Sequence, residues 1–366
     1  MKDKYKTQDI TIKIKTLTPL WTGGVESHMD SLHQTGIIGS LRWWYEAMVR
    51  GLGYSACDPT SHENEETCPV CSLFGHTGEK RKFIINIDSS GEMLWDDSHY
   101  DLNIRPYGRR RGWFLPPGFV GTLNLRLYGE SNLVDQIASL IQWLSRWGSI
   151  GAKSQLGYGI INVLETSTTI KPINCGLLEG IELNRSSENL PDLRTFTFFR
   201  FRFTPEDKQW WKTIRDFQYL MKNRNNAKII ENLAGKDMIP VSPLLKNYFR
   251  YRKDWKSTGI PKWLFGTIEG DKRHKSRVHF SWAYRVRDHW EVRGWAWLPY
   301  GVKSRYFYND ALQGLKAAIE DETEWLKALD MRGKVSQAKV YIEPTESSWG
   351  VKNAGSVMKW LEEVTA

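Results

Sequence analysis

Long apolar runs are absent from this chain of 366 residues. No window approaches the roughly eighteen consecutive apolar residues that a bilayer-spanning helix needs, and the opening stretch MKDKYKTQDI is too charged for a secretory leader. A cytoplasmic protein without membrane attachment is the expectation. Cysteine is scarce: four in all cannot staple a chain of this size, so a disulfide scaffold is excluded. Acidic residues fall short of basic ones, 42 against 51, and the net charge of +9 favours a polyanionic partner without identifying it. No G-x-x-x-x-G-K-[ST] nucleotide loop and no serine, histidine and acid arrangement can be read. No organic cofactor is expected.

Tryptophan is plentiful instead, 18 residues, and serves cores, partner interfaces or base stacking. The length exceeds what one core usually fills, so two domains are expected. The first opens on DITIKIKTLTPL, where Ile10, Ile12 and Ile14 alternate with polar residues as in a half-buried strand. IIGSLRWWYEAMVRGLG follows with helical spacing and a glycine stop. After a cysteine-bearing region come the strand RKFIINI, the loop RPYGRRRGWF, the strand GFVGTLNLRLYG, the helix SNLVDQIASLIQWLSRW and the strand IINVLET. That order, β-α-β-β-α-β, is ferredoxin-like. Periodicity fades between Thr166 and Leu193, then RTFTFFRFRF restarts it. EDKQWWKTIRDFQYLMK reads as a helix, RVHFSWAYRV and WEVRGWAWLP as a strand pair, YNDALQGLKAAIEDETEWLKAL as one long helix, QAKVYIE as a last strand, and a helix from Gly355 to Val364 closes the chain. The phrase Leu-Phe-Gly stands between first helix and second strand in both halves, at Leu73 and Leu264. We read an α+β protein of two tandem ferredoxin-like domains, residues 1–180 and 193–366; a single large α+β domain is the alternative.

Several clusters carry candidate chemistry. GSIGAKSQLGYG holds Gly148, Gly151, Gly157 and Gly159 around Lys153 and Ser154, a loop able to bring backbone amides and a cation to a phosphate, or simply a turn between elements. Gly36, Gly39 and Ser40 fall at the expected start of the first helix, where open amides favour an anion. Arg42 is the candidate phosphate contact there, although its i, i+4 spacing to Glu46, and Glu46's to Arg50, also fits an ion-pair ladder. Lys80, Arg81 and Lys82 form a basic edge after the first Leu-Phe-Gly. Arg105, Arg109, Arg110 and Arg111 with Tyr107 and Trp113 mix charge with stacking surface suited to single-stranded nucleic acid, or are a solvated charge run. Cys57, Cys68 and Cys71 give three thiols for a structural zinc, with His33, His62 or His76 available as the fourth ligand and a metal-free C-x-x-C as the alternative. Asp30 and His33 share the loop after the first strand and are the candidates for acid or base work on RNA, or are turn residues.

The phrases LTPLWTGG, HQTGIIGSLRWWYEAMVRGLG, ACDPT, CPVCSLFG and GSIGAKSQLGYG, in that order, resemble the RAMP superfamily, and most closely the family of first RAMP subunits of the type III-B CRISPR Cmr effector complex. The resemblance covers most of the first half; in the second it rests on the domain plan and LFGTIEG. It implies two ferredoxin-like folds in a non-catalytic RNA-binding subunit at the head of an antiviral ribonucleoprotein, near the 3′ end of the guide RNA. Guide RNA and target RNA and the other Cmr RAMP subunits would be the partners. The glycine-rich loops of the family fall on Gly148 to Gly159, and its helix-one motif on Gly36 to Arg42. Backbone RAMP subunits cut target RNA with an aspartate in the loop that holds Asp30 here, but HMDSLHQTG does not reproduce their pattern. An endoribonuclease using Asp30 or His33, and a protein-contacting cap whose tryptophans bury partner surface, are the alternatives.

Overall fold

The computed structural model describes residues 6–24, 28–58, 68–94, 101–106, 108–109, 111–174, 190–255, 259–269, 272–344 and 348–365. His62, Tyr107, Arg110 and the expected domain boundary around residue 180 lie outside them.

The chain is a mixed α and β protein built on two antiparallel sheets. Strand β1 (Thr7–Thr16) places Ile10, Ile12 and Ile14 fully inside, as their alternation requires. Helix α1 (Gln34–Gly51) and the short α2 (Pro69–Phe74) lead to β2 (Phe83–Met93). A small ribbon, β3 (Leu102–Ile104) with β4 (Trp113–Leu115), carries the arginine loop at its tip, and β5 (Phe119–Glu130), α3 (Ser131–Arg146) and β6 (Ile161–Thr166) complete the set. The sheet order is β2-β5-β1-β6, with every neighbour antiparallel. Apolar alternation in β2 stops at Ile87, yet the strand continues through Asp88 and Ser90 to Met93, because β5 pairs with it along its whole length. Gly91 faces Gly121 across that pair, where a Cβ on either would lie 2.2–2.3 Å from a backbone oxygen of the other strand.

The second sheet begins at β7 (Phe196–Pro205). Where one helix is predicted after it, the chain makes α4 (Arg215–Leu220), α5 (Arg224–Gly235), the two-residue β8 (Met238–Ile239), α6 (Ser242–Arg250) and α7 (Gly259–Phe265). Asn223 caps α5 with its side chain, which separates it from α4. The hairpin of β9 (Thr267–Glu269) and β10 (Lys272–His274) precedes β11 (Val278–Phe280), β12 (Ala283–Val286) and β13 (His289–Trp297). The predicted long helix is two, α8 (Arg305–Glu320) and α9 (Glu322–Ala328), divided at Asp321, whose carboxylate caps the second. Strand β14 (Val335–Glu343) and α10 (Ala354–Thr365) end the fold. The sheet runs β14-β7-β13-β12-β8, with β11 also on β13.

The repeated Leu-Phe-Gly phrase marks the same local structure twice. Each copy ends a short helix at a glycine in the left-handed region, Gly75 at φ 82° and Gly266 at φ 76°. After a turn, the returning chain donates to the leucine carbonyl, Lys82 N to Leu73 O at 3.0 Å and Arg277 N to Leu264 O at 2.8 Å.

The two sheets share their cores. Trp44 of α1 packs on Trp143 of α3 and on Phe196, Phe198 and Trp295 of the second sheet, with ring centroids 5.3–6.2 Å apart. Trp282 reaches back to donate to Leu156 O at 2.8 Å and packs on Tyr158. Among the described tryptophans none is fully exposed, so the chain uses them to fill its own interior. No helix among the described residues is long and apolar enough to cross a membrane.

Candidate nucleic-acid interface and thiol cluster

The glycine-rich loop runs beside the segment that follows β1. Gly159 N donates to Pro19 O at 2.9 Å, Ala152 N to Trp21 O at 2.8 Å, and Ile160 N to the Thr18 hydroxyl at 3.0 Å. Gly148, Gly157 and Gly159 are buried, and a Cβ on Gly159 would stand 2.0 Å from Ile150 O. These glycines serve close packing; only Gly151 to Leu156 reaches the surface. There Lys153, itself in the left-handed region at φ 60°, lays its ammonium 4.1 Å from the Trp21 ring centroid. Partial burial pulls the lysine below its ordinary pKa. Ser154 opens a single 3-10 turn next to it.

Helix α1 meets the loop through Ser40 at the surface and through Trp44 beneath it, whose indole N–H donates to Ser149 O at 2.9 Å. Ser40 Oγ accepts from Gly151 N–H at 2.8 Å and donates to Ile37 O at 2.8 Å. Thr22 Oγ1 accepts from His33 N–H at 2.9 Å, and Gly36 packs on Thr22. Gly39 is exposed, with open space where its Cβ would be, and leaves the helix backbone bare. The helix starts at Gln34, two residues before the predicted anion site. The amides of Gly39 and Ser40 therefore lie inside its hydrogen-bonded turns and are not among the open amides of the first turn.

Arg42 sits in the third turn and points inward. Its guanidinium bonds Glu46 at 2.9 Å, Gly75 O at 2.6 Å and Cys71 Sγ at 3.2 Å. Glu46 also faces Arg50 at 3.8 Å, so the ion-pair ladder is the arrangement present, with Arg42, a fifth exposed, bracing α1 against the thiol cluster. Burial raises the Glu46 pKa, with Arg42 and Arg50 holding it back.

The brace ends on a thiol cluster. Cys68 caps α2, accepting from Cys71 N–H at 3.4 Å, and Pro69 occupies the first helical position, so the C-x-x-C spacing becomes one turn with both sulfurs on one side. Cys57 joins from the chain after α1, 3.3 Å from Cys71 Sγ and 3.5 Å from Cys68 Sγ. Burial pushes the Cys57 and Cys71 thiols up. Burial acts the same way on Cys68, but the N–H groups of Cys57 and Cys71 outweigh it and bring Cys68 below its ordinary value. Among the described residues these three thiols alone are close enough to share an ion. His33 and His76 stand outside the group, the first 2.6 Å from Asp30 and the second 3.6 Å from Glu79. Tetrahedral zinc with sulfur at about 2.3 Å requires sulfurs roughly 3.7 Å apart. Two edges of the cluster, at 3.3 and 3.5 Å, fall a few tenths of an ångström short of that, and Arg42 brings positive charge to Cys71 Sγ.

Asp30 and His33 form an exposed pair beside Gly24, and the hydrogen bond to His33 holds the Asp30 carboxyl below its usual range. The basic segments lie elsewhere. Lys82 donates to Ser72 Oγ at 2.7 Å, Arg81 sits 5.9 Å from the Phe83 centroid, and Lys80 is exposed. Arg105 and Arg109 lean on tyrosines of the second half, Tyr219 and Tyr251, while Arg111 is exposed. Sequence reasoning missed Trp21, Tyr219 and Tyr251, because nothing in their local sequence shows that a cation from a distant segment comes to rest on them.

Residues 13–162 match the model of the RAMP superfamily, the family that the sequence motifs resemble. The chain is similar to Cmr subunits of type III-B CRISPR complexes. Cmr1 from Pyrococcus furiosus, in its apo crystal structure, superposes with a TM-score of 0.40 at 16% identity, over 82% of this chain and 92% of that one. A chain of the type III-B Cmr-beta complex bound to cognate target RNA and AMPPnP, in the presence of single-stranded DNA, superposes with a TM-score of 0.44 at 11% identity, over 85% and 99%. A comparison with curated proteins finds no match.

Proposed function

We propose that this chain is a non-catalytic RNA-binding subunit of a cytoplasmic type III-B Cmr-type ribonucleoprotein, made of two ferredoxin-like domains at residues 1–180 and 193–366. It would hold the 3′ region of the guide RNA, target RNA or both, beside other Cmr RAMP subunits at the head of the complex. The observation that carries the reading is the junction of Gly39 and Ser40 with Gly151 and Lys153, tied by the Ser40 to Gly151 hydrogen bond inside the RAMP-matching segment. Bare backbone at Gly39, a lysine at the rim and a serine beside it suit a phosphate backbone and offer no base-reading code. Sequence recognition then falls to guide and target pairing. Lys80, Arg81, Lys82, Arg105, Arg109 and Arg111 extend the positive surface.

One structural zinc on Cys57, Cys68 and Cys71 belongs to the same proposal; when bound, it supplies folding energy to the turn that Arg42 braces. Binding of single-stranded RNA by the full chain, measured across a salt series, tests the reading. Gly39→Glu adds a carboxylate at an exposed helix position whose Cβ would meet nothing within 4 Å beyond its own turn of helix, so the fold is kept, affinity falls and melting temperature holds. Equal affinity for the variant and the unaltered chain would count against this surface.

The Asp30 and His33 pair favours a second reading, an endoribonuclease in which the carboxylate orients the imidazole for proton transfer. Asp30→Ala separates the two: RNA turnover that the substitution abolishes supports the enzyme, and unchanged behaviour supports the binding subunit.

A further inference from the structure

We propose a second contact for RNA, resting on the RNA-binding reading above: the cleft between the β3–β4 loop and helices α4 and α5 takes an unpaired nucleotide, whose base stacks on Tyr219. The cleft encloses about 580 Å³ and is lined by residues from both halves of the chain, Asn103 and Arg105 on one wall and Tyr219, Lys222 and Asn223 on the other. That volume suits a nucleoside-sized ligand. The Tyr219 ring is half exposed, at 49%, although it stands next to the buried Phe217 and Leu220. Arg105 donates to the Tyr219 hydroxyl at 3.2 Å with its guanidinium 5.8 Å over the ring centroid, and the Lys222 ammonium lies 5.5 Å over the same ring. No carboxylate lines the cleft among the described residues.

A half-exposed aromatic ring carrying two mobile cations suits a single strand, because a base that takes a cation's place on the ring stacks whatever its identity, and the displaced cation meets a neighbouring phosphate. The same loop repeats the device nearby, where Arg109 stacks 3.5 Å from the centroid of Tyr251, itself 52% exposed. The arginine loop thus acts jointly with the second half. A free mononucleotide has the same ring and phosphate, but Arg105 and Lys222 on opposite walls, with Arg109 farther along the same loop, supply more cations than one phosphate needs, which favours a strand.

The test uses the full chain with a fluorescent single-stranded oligoribonucleotide containing 5-bromouridine, and a mononucleotide as competitor. Tyr219→Ala is expected to weaken binding about five- to hundredfold, as loss of one stacked base does. Tyr219→Phe should stay within roughly threefold, and Lys222→Gln should lower the salt slope by about one. Photocrosslinking should fall on the peptide that contains Tyr219. Unaltered affinity in Tyr219→Ala, with Gly39→Glu still weakening binding, overturns this cleft and leaves the first surface standing. Equal losses on duplex RNA, or displacement by mononucleotide at matching concentration, overturn the stacked-strand assignment. Failure of the unaltered chain to bind any RNA overturns both.

Discussion

Replacing Glu291 with glutamine should loosen the junction between the two sheets. Glu291 lies on β13 with its side chain only 3% exposed, and meets Arg202 at 2.7 Å, Arg293 at 3.8 Å and Arg200 at 4.0 Å. Tyr284 donates to it at 2.5 Å. Two of these arginines also cap the end of α3 in the other half, Arg293 on Ser145 O at 2.8 Å and Arg200 on Arg146 O. Burial alone would raise the carboxyl, but the surrounding guanidiniums pull it to about 2 from an ordinary 4.5. Arg200, buried and beside Arg293, is itself lowered to about 10, so three cations here depend on one anion. The fall from 4.5 to about 2, at roughly 1.4 kcal/mol for each tenfold change in proton affinity, corresponds to about 3–3.5 kcal/mol. This pKa is depressed in the folded state, so the contribution is complete above about pH 5 and is lost as pH falls towards 2. Urea unfolding followed by tryptophan fluorescence should show Glu291→Gln less stable by about 3 kcal/mol at pH 7 and by about half that at pH 3. A pH 7 difference below roughly 0.5 kcal/mol, or one that does not shrink with acid, would refute the argument.

The thiol cluster predicts about one zinc per chain by elemental analysis, with a strong chelator lowering the melting temperature; Cys71→Ser should abolish both the metal and that response. A metal-free chain whose melting ignores chelator would disprove the assignment. Gly159→Ala should cost well over 1–2 kcal/mol, about the left-handed penalty alone, since its Cβ also meets Ile150 O at 2.0 Å. Gly78→Ala, at φ 96° with open space around it, should cost only that penalty, and scanning calorimetry of the two compares them directly.

Periodicity made β1 and β5 legible, because each buries one face and so repeats every two residues; α3 and β7 were legible from their apolar content, although α3 is buried nearly all round and β7 on both faces. It lost β2 after Ile87, where pairing with β5 and not burial holds the strand. It also merged α8 with α9, whose division at Asp321 depends on a cap and leaves the apolar pattern unbroken. At the candidate sites, the C-x-x-C spacing located two sulfurs, and Cys57 joined them. Arg42 was misleading because the same spacing serves a surface phosphate contact and an inward ladder, and only the direction of the side chain tells them apart.

The sequence by itself determined the main strands and helices of the first half, that the Leu-Phe-Gly turn occurs twice, and which family the first half resembles, since these follow from local spacing and residue type. Tertiary structure alone decided that Ser40 meets Gly151, that Arg105 meets Tyr219, and that most of the loop glycines serve packing. Those pairs are separated by 111 and 114 positions. No local pattern encodes contacts at such range; the packing of α1 on the glycine loop and of the arginine loop on helix α4 makes them.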